Sequence, residues 1–117
     1  MGDRANVLVK DSYDPGVYLY THWGGSDLPL VLQSALSKQW RWDDASYLAR
    51  IIFCEMIQGE ERGETGYGIS SVMGDGDNRV LVVDCSKQMV SYNNTQWSFV
   101  QYVNLIPEQI ESVWDSV

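Results

Sequence analysis

The sequence predicts an α+β fold in which a mostly antiparallel sheet carries a two-helix layer and a C-terminal helix. Short β-branched runs open the chain and return after residue 66, two apolar patterns with helical spacing lie between them, and Pro107 begins a last helical pattern. Helices that are grouped, and do not alternate singly with strands, favour an antiparallel sheet. Because 117 residues suffice for one core, we expect residues 1–117 to form a single domain.

The first two strands are predicted to form a hairpin. Residues 6–10 are a β-branched run that ends at a cluster of Asp, Pro and Gly, and residues 16–23 follow as the second strand. Along the second strand aliphatic side chains alternate with aromatic and polar ones, which places Tyr20 and His22 on one face. The glycines at 24–25 then end the strand.

Two helices are predicted next. The first is capped by Ser26 or Asp27 and ends near Gln39. The second starts at the acidic pair 43–44 and stops at Gly59. The apolar positions expected to form its buried stripe are Tyr47, Leu48, Ile51, Ile52 and Met56.

The second half of the chain reads as strands joined by turns. After an exposed loop at 60–66, residues 67–73 are predicted to be a strand that forms a hairpin with residues 79–85 through a tight turn at 74–78. We expect the strand at 79–85 to be central and covered on both faces, and residues 88–92 to pair back on it.

The end of the chain is ambiguous at one place. Residues 97–103 alternate well enough for a strand, yet Ser98 also suits the cap of a short helix. A final helix is expected from Pro107. The side chains expected to point inward from it are Ile106, Ile110, Val113 and Trp114.

The charge of the chain points to its partners. A net charge of −8 and a pI near 4.3 exclude direct binding of nucleic acid, which depends on Lys and Arg neutralising phosphates. An acidic surface attracts the basic face of another protein, although the same charge also serves solubility alone. With no apolar run long enough for a membrane span and no basic, apolar leader, we expect a cytoplasmic protein without membrane contact.

No sequence pattern here assembles a cofactor site, a metal site or a catalytic constellation. Cys54 and Cys85 lack the C-x-x-C spacing of zinc or redox sites, so we expect two reduced, buried thiols. The turn at 74–78 lacks most of the ligands of a calcium loop. The glycine-rich run at 64–68 has neither the lysine nor the helix of a phosphate loop.

The leading hypothesis is therefore a non-enzymatic module that binds proteins. Five Trp, seven Tyr and two Phe are many for a small core, and exposed aromatic rings beside acidic groups suit a partner with a basic, partly apolar face. The residues expected to contact the partner are Trp40, Trp42, Asp43, Asp44, Glu60, Glu61 and Glu64. Oligomeric state is not specified by the sequence.

The alternative hypothesis is a small-molecule-binding or hydrolytic domain centred on the only histidine. The residues expected to line its pocket are Arg4, Tyr20, His22, Trp23 and Arg50. For Arg50 a structural reading competes, in which it turns inward and pairs with Asp43 or Asp84. Cys54 is the obvious thiol nucleophile for His22, but its place in an apolar helix pattern argues against that role.

Four segments carry a resemblance. They read G-D-R-A-N-V at 2–7, Y-L-Y-T-H-W-G-G at 18–25, R-W-D-D-x-x-Y-L-A-R-I-I-F at 41–53 and E-T-G-Y-G-I-S at 64–70. The chain resembles in them a group of small bacterial and phage proteins that has no established activity. The phage association implies a protein that modulates or inhibits a larger host machine, such as an anti-CRISPR-like counter-defence factor.

Overall fold

The computed structural model describes residues 2–74 and 79–116, and within them the chain forms six strands, four α-helices and one 3₁₀ turn. The strands are β1 (Ala5–Lys10), β2 (Val17–Thr21), β3 (Tyr67–Ser70), β4 (Val80–Asp84), β5 (Met89–Tyr92) and β6 (Thr95–Ser98). The helices are α1 (Leu28–Ser37), α2 (Ala45–Met56), α3 (Phe99–Val103) and α4 (Pro107–Glu111), followed by the 3₁₀ turn Val113–Asp115.

The strands form one mixed sheet with the order β3-β2-β1-β4-β5-β6. Each neighbouring pair is antiparallel except β1 and β4, which run parallel, with Asn6 opposite Val80. The α+β class with a mostly antiparallel sheet is therefore confirmed. The parallel pair at the centre makes the sheet mixed, which the sequence did not predict.

The predicted β1–β2 hairpin is confirmed, because Val7 pairs with Leu19 in antiparallel register. The predicted hairpin of β3 with β4 is wrong, since β3 pairs with β2 at the edge of the sheet and β4 pairs with β1 and β5. Composition explains why β3 lies at the edge and β4 at the centre of the sheet. β3 contains Gly68 and Ser70, whereas β4 is almost wholly aliphatic and suits a central position. Residues 75–78 of the predicted turn lie outside the described residues.

One face of the sheet is buried. Val7 and Val9 of β1 and Leu81 of β4 belong to the same hydrophobic core as Leu32 of α1 and Leu48 of α2. The opposite face of β4 is only half-buried. The prediction that this strand is covered on both faces is therefore wrong.

The buried stripe of α2 is confirmed at Leu48, Ile51, Ile52 and Met56. Tyr47 and Cys54 were expected to be buried and are exposed, as is Arg50. These last three side chains lie on one helical face, at spacings of three and four residues, opposite to the core. Arg50 accordingly does not turn inward, and its Nη1 lies 3.9 Å from Cys54 Sγ.

Cys85 behaves as predicted for a buried thiol, since it is 3% exposed. Burial, with a smaller contribution from the negative charge of Asp11, raises the pKa of this thiol to about 12. The group stays protonated at neutral pH and has no nucleophilic character there.

The ambiguous segment contains both structures. Trp97 belongs to β6, and Ser98 then caps α3 by accepting a hydrogen bond of 3.0 Å from the Gln101 backbone N–H. In the last part of the chain Ile110 and Val113 are buried as predicted, whereas Ile106 is exposed because it precedes the first turn of α4. None of the helices within 2–74 and 79–116 has the length and apolar content needed to cross a bilayer.

Candidate functional site

A groove of about 450 Å³ lies where the start of α1, the end of α2 and the adjoining ends of β2 and β3 meet. We call it the acidic groove. Its charged and aromatic lining residues are Trp23, Asp27, Glu55, Glu60 and Tyr67, and the aliphatic ones include Leu28, Leu30, Val31 and Met56. Three carboxyl groups and two aromatic rings therefore surround a partly apolar floor.

Trp23 forms one wall of the acidic groove and is 53% exposed. Its indole meets the His22 imidazole edge to face, with ring centroids 5.2 Å apart. Behind it, Gly66 has a φ of +105°, and a Cβ at this position would overlap the Trp23 ring. A glycine is therefore required for both the backbone conformation and the position of the indole.

Glu60 and Tyr67 also line the acidic groove. The Tyr67 hydroxyl donates a hydrogen bond of 2.6 Å to Glu60 Oε2. This hydrogen bond, together with burial and the negative charge of Glu60, raises the pKa of Tyr67 to about 12. At neutral pH Tyr67 is thus a protonated phenol that donates to Glu60.

Glu55 connects the acidic groove to Trp40. Its Oε1 lies 2.8 Å from Lys38 Nζ, and the same ammonium lies 5.9 Å from the centroid of the Trp40 ring. Trp40 is 58% exposed. Its neighbours Gln39 and Arg41 both have left-handed backbones, with φ of 59° and 57°. Such strained non-glycine residues are uncommon and are enriched at functional sites.

Trp42 was predicted to contact a partner, but its side chain makes contacts inside the protein. The indole is half-buried, donates a hydrogen bond of 3.1 Å from Nε1 to the Leu36 carbonyl, and packs edge to face on Phe99 at 5.3 Å. Of the two tryptophans expected to contact a partner, Trp40 is strongly exposed, and so is Trp23, which was expected in the pocket around His22.

The predicted acidic residues form two groups. Asp43 and Asp44 precede α2, and Asp44 is its N-cap, accepting a hydrogen bond of 3.1 Å from the Tyr47 backbone. Glu60, Glu61 and Glu64 follow the other end of the helix and are exposed. Twelve residues of helix separate the groups by about 18 Å, so one small partner side chain contacts one group only.

The predicted pocket around His22 is only partly assembled. Tyr20 Oη and His22 Nδ1 lie 2.8 Å apart on the face of β2 that points away from the core. Arg4 leaves the same end of the hairpin, because Ala5 pairs with Thr21. Arg50 lies on the exposed side of α2 and so on the other side of the sheet.

The turn that carries Trp23 is fixed by residues from both ends of the chain. Arg79 donates hydrogen bonds to Asp3 and to the Arg4 carbonyl, and its guanidinium lies 5.2 Å from the centroid of the Trp114 ring. Trp114 Nε1 donates a hydrogen bond of 2.8 Å to the Gly25 carbonyl. This arrangement holds the glycine turn against the end of the sheet.

Asp3 is the acidic member of this arrangement. Burial raises the pKa of Asp3, but hydrogen bonds from Ser26 and the positive charge of Arg79 outweigh it, so the pKa lies below its usual value. Asp3 therefore remains charged well into the acid range and keeps its contact with Arg79.

Three of the five charged and aromatic residues of the acidic groove were not identified as site residues from the sequence. Asp27 was expected only as a helix cap, although its side chain makes no capping bond. Glu55 and Tyr67 come from separate segments and are brought together by the pairing of β3 with β2. The sequence indicated these three residues only through their types, which are acidic or aromatic like those of the predicted partner surface.

Within the described parts of the chain, no group of three or more His, Cys, Asp or Glu side chains is arranged to hold a metal ion. Comparisons with protein-family models, with curated proteins and with solved structures gave no match. The resemblance of four sequence segments to small bacterial and phage proteins stays a prediction.

Proposed function

We propose that this protein is a non-enzymatic binding module whose acidic groove recognises an Arg or Lys side chain on a basic protein partner. The observation that carries the proposal is the convergence of Asp27, Glu55 and Glu60 on one groove that is also walled by Trp23 and Tyr67. Aromatic walls and carboxylates together are the groups that bind organic cations.

The negative charge of the protein favours a basic partner at long range as well as in direct contact. The net charge of −8 attracts a basic surface and accelerates encounter, while it repels nucleic acid and acidic proteins. The carboxylates then provide charge-assisted hydrogen bonds to a guanidinium or an ammonium at short range.

Lys38 supplies an internal example of the proposed contact. Its ammonium is bound to Glu55 and lies near the face of the exposed Trp40 ring. A cation from a partner that reaches Glu60 would find the same combination, with Trp23 as the exposed ring. The aliphatic stem of the partner side chain would lie on the apolar floor.

We also place this module in the cytoplasm as a single domain, with α1 and α2 as a layer over the buried face of the sheet. A role as a modulator of a larger host machine, of the anti-CRISPR-like kind, rests on the sequence resemblance alone.

The test uses a hexa-arginine peptide as the probe and the Trp fluorescence of the protein as the signal. We expect Glu60→Lys to raise the Kd at least tenfold, because it removes one carboxylate and adds a like charge. Glu108→Lys is the matched control: it changes the net charge equally at an exposed position outside the groove. Equal weakening by both variants would show that only the overall charge attracts the peptide and would overturn the groove as the site.

A further inference from the structure

A carboxamide is buried in the sheet, and its NH₂ group has no acceptor among residues 2–74 and 79–116. Asn6, on the central strand β1, is 1% exposed, and its Nδ2 donates no hydrogen bond to any part of the chain that the structure describes. Buried polar groups nearly always have a partner, because an unpaired donor loses its bonds to water without compensation. A bound ligand with an acceptor atom would satisfy this donor, which has no acceptor among the described residues.

The same side chain lines an open cavity of about 360 Å³ on the sheet face away from the core. Asn6 lies opposite Tyr20, and Tyr20 lies opposite Gly68, so the three residues form a row across the strands. A Cβ added at Gly68 would meet no atom within 4 Å. The missing side chain therefore leaves room beside Tyr20, and Ile69 and Ser70 complete that side of the cavity.

We propose that this cavity, which we call the carboxamide cavity, binds a neutral, planar small molecule whose carbonyl oxygen accepts a hydrogen bond from Asn6 Nδ2. Carboxamides, lactams and oxo-substituted heterocycles have this chemistry. The volume suits a ligand of that size. The Tyr20 ring gives a planar ligand an aromatic contact.

Charge selects a neutral ligand over an anionic one. No Lys or Arg is among the lining residues of the carboxamide cavity within the described ranges, and the net charge of −8 opposes an incoming carboxylate. A neutral carbonyl satisfies the buried donor without bringing a charge out of water.

The carboxamide cavity is independent of the acidic groove. The groove is lined by Thr21 and Tyr67, whereas the cavity is lined by their chain neighbours Tyr20 and Gly68. Adjacent residues of a strand point to opposite faces, so the two sites open on opposite sides of the sheet. An experiment that overturns ligand binding at the carboxamide cavity therefore does not overturn the proposed function of the acidic groove.

Benzamide is the probe, and the side-chain NH₂ signals of Asn6 in ¹H–¹⁵N NMR spectra are the readout. We expect saturable shifts of these signals and of the Gly68 backbone amide, and weaker binding of benzoate, its anionic counterpart. Absence of a shift at the Asn6 side chain, or benzoate binding as tightly as benzamide, would overturn the proposal.

Two variants test the contact and the space separately. Asn6→Leu removes the donor and Gly68→Val fills the cavity, and we expect each to raise the Kd for benzamide about tenfold or more. Ser91→Val adds the same β-branched side chain to the same face on β5 and should leave the Kd unchanged. Wild-type affinity in folded Gly68→Val would overturn this location of the site.

Discussion

Tyr67 and Glu60 share a hydrogen bond of 2.6 Å, and this contact joins the edge strand β3 to the segment that leaves α2. The phenol is fixed as a donor to the Glu60 carboxyl group, so an aromatic surface and an acidic group lie side by side in the acidic groove. These groups of the proposed binding site are thus arranged in the free protein.

Glu60→Gln is expected to lower the pKa of Tyr67 from about 12 toward the ordinary tyrosine value. The change removes the charged acceptor, which is the main cause of the raised pKa. Absorbance near 295 nm during an alkaline titration measures it. Glu61→Gln removes a neighbouring charge that does not contact the phenol, and an equal drop in that variant would contradict the assignment.

Stability is expected to fall as the pH rises from about 9 to about 12. The pKa values of Cys85 and Tyr67 are raised to about 12 in the folded protein, from ordinary values of 9.0 and 10.0, and burial raises that of Tyr102 as well. The unfolded chain releases these protons first, so alkali favours unfolding. Urea unfolding at several pH values measures this, and an unchanged free energy of unfolding across the window would contradict it.

Asn6→Leu is expected to raise the free energy of unfolding of the ligand-free protein by about 1–3 kcal/mol, because it removes a buried donor that has no partner. Asn6→Asp has nearly the same shape but buries a carboxylate, and it should destabilise the protein instead. Urea unfolding compares the three proteins. A less stable Asn6→Leu would show that the carboxamide stabilises the fold.

Gly66→Ala is expected to destabilise the protein by about 1–3 kcal/mol, because the new Cβ occupies a left-handed backbone position and overlaps the Trp23 ring. The displaced indole should also change the Trp fluorescence and weaken binding at the acidic groove. Gly68→Ala is the control, since open space surrounds its Cβ. Thermal unfolding that is unchanged in Gly66→Ala would contradict the required glycine.

Local patterns predicted most of the elements of the fold, and long-range pairing was not predictable. Alternation along β2 correctly separated Leu19 from Tyr20 and His22, because the period of a strand is a local property. Turn residues at 74–78 indicated a change of direction but not the neighbour of the next strand. Nothing near Val80 in the sequence identifies Asn6 as its partner in a parallel pair.

In the candidate site, too, local sequence features were predictable and long-range contacts were not. Glu60 was predicted from its charge and loop position, whereas Glu55 and Tyr67 became groove residues only through tertiary packing. Trp42 was expected at the surface because composition does not reveal which indoles are buried. Asn6 was not recognised because a polar residue on an outer strand face is usually solvated.

The parallel pairing of β1 with β4 has a consequence for biosynthesis. The two strands at the centre of the sheet are synthesised far apart in time, because Val80 of β4, which pairs with Asn6 of β1, is made more than seventy residues after it. Until then one edge of β1 is unprotected, and the nascent chain is expected to fold late and to depend on chaperones that shield such edges.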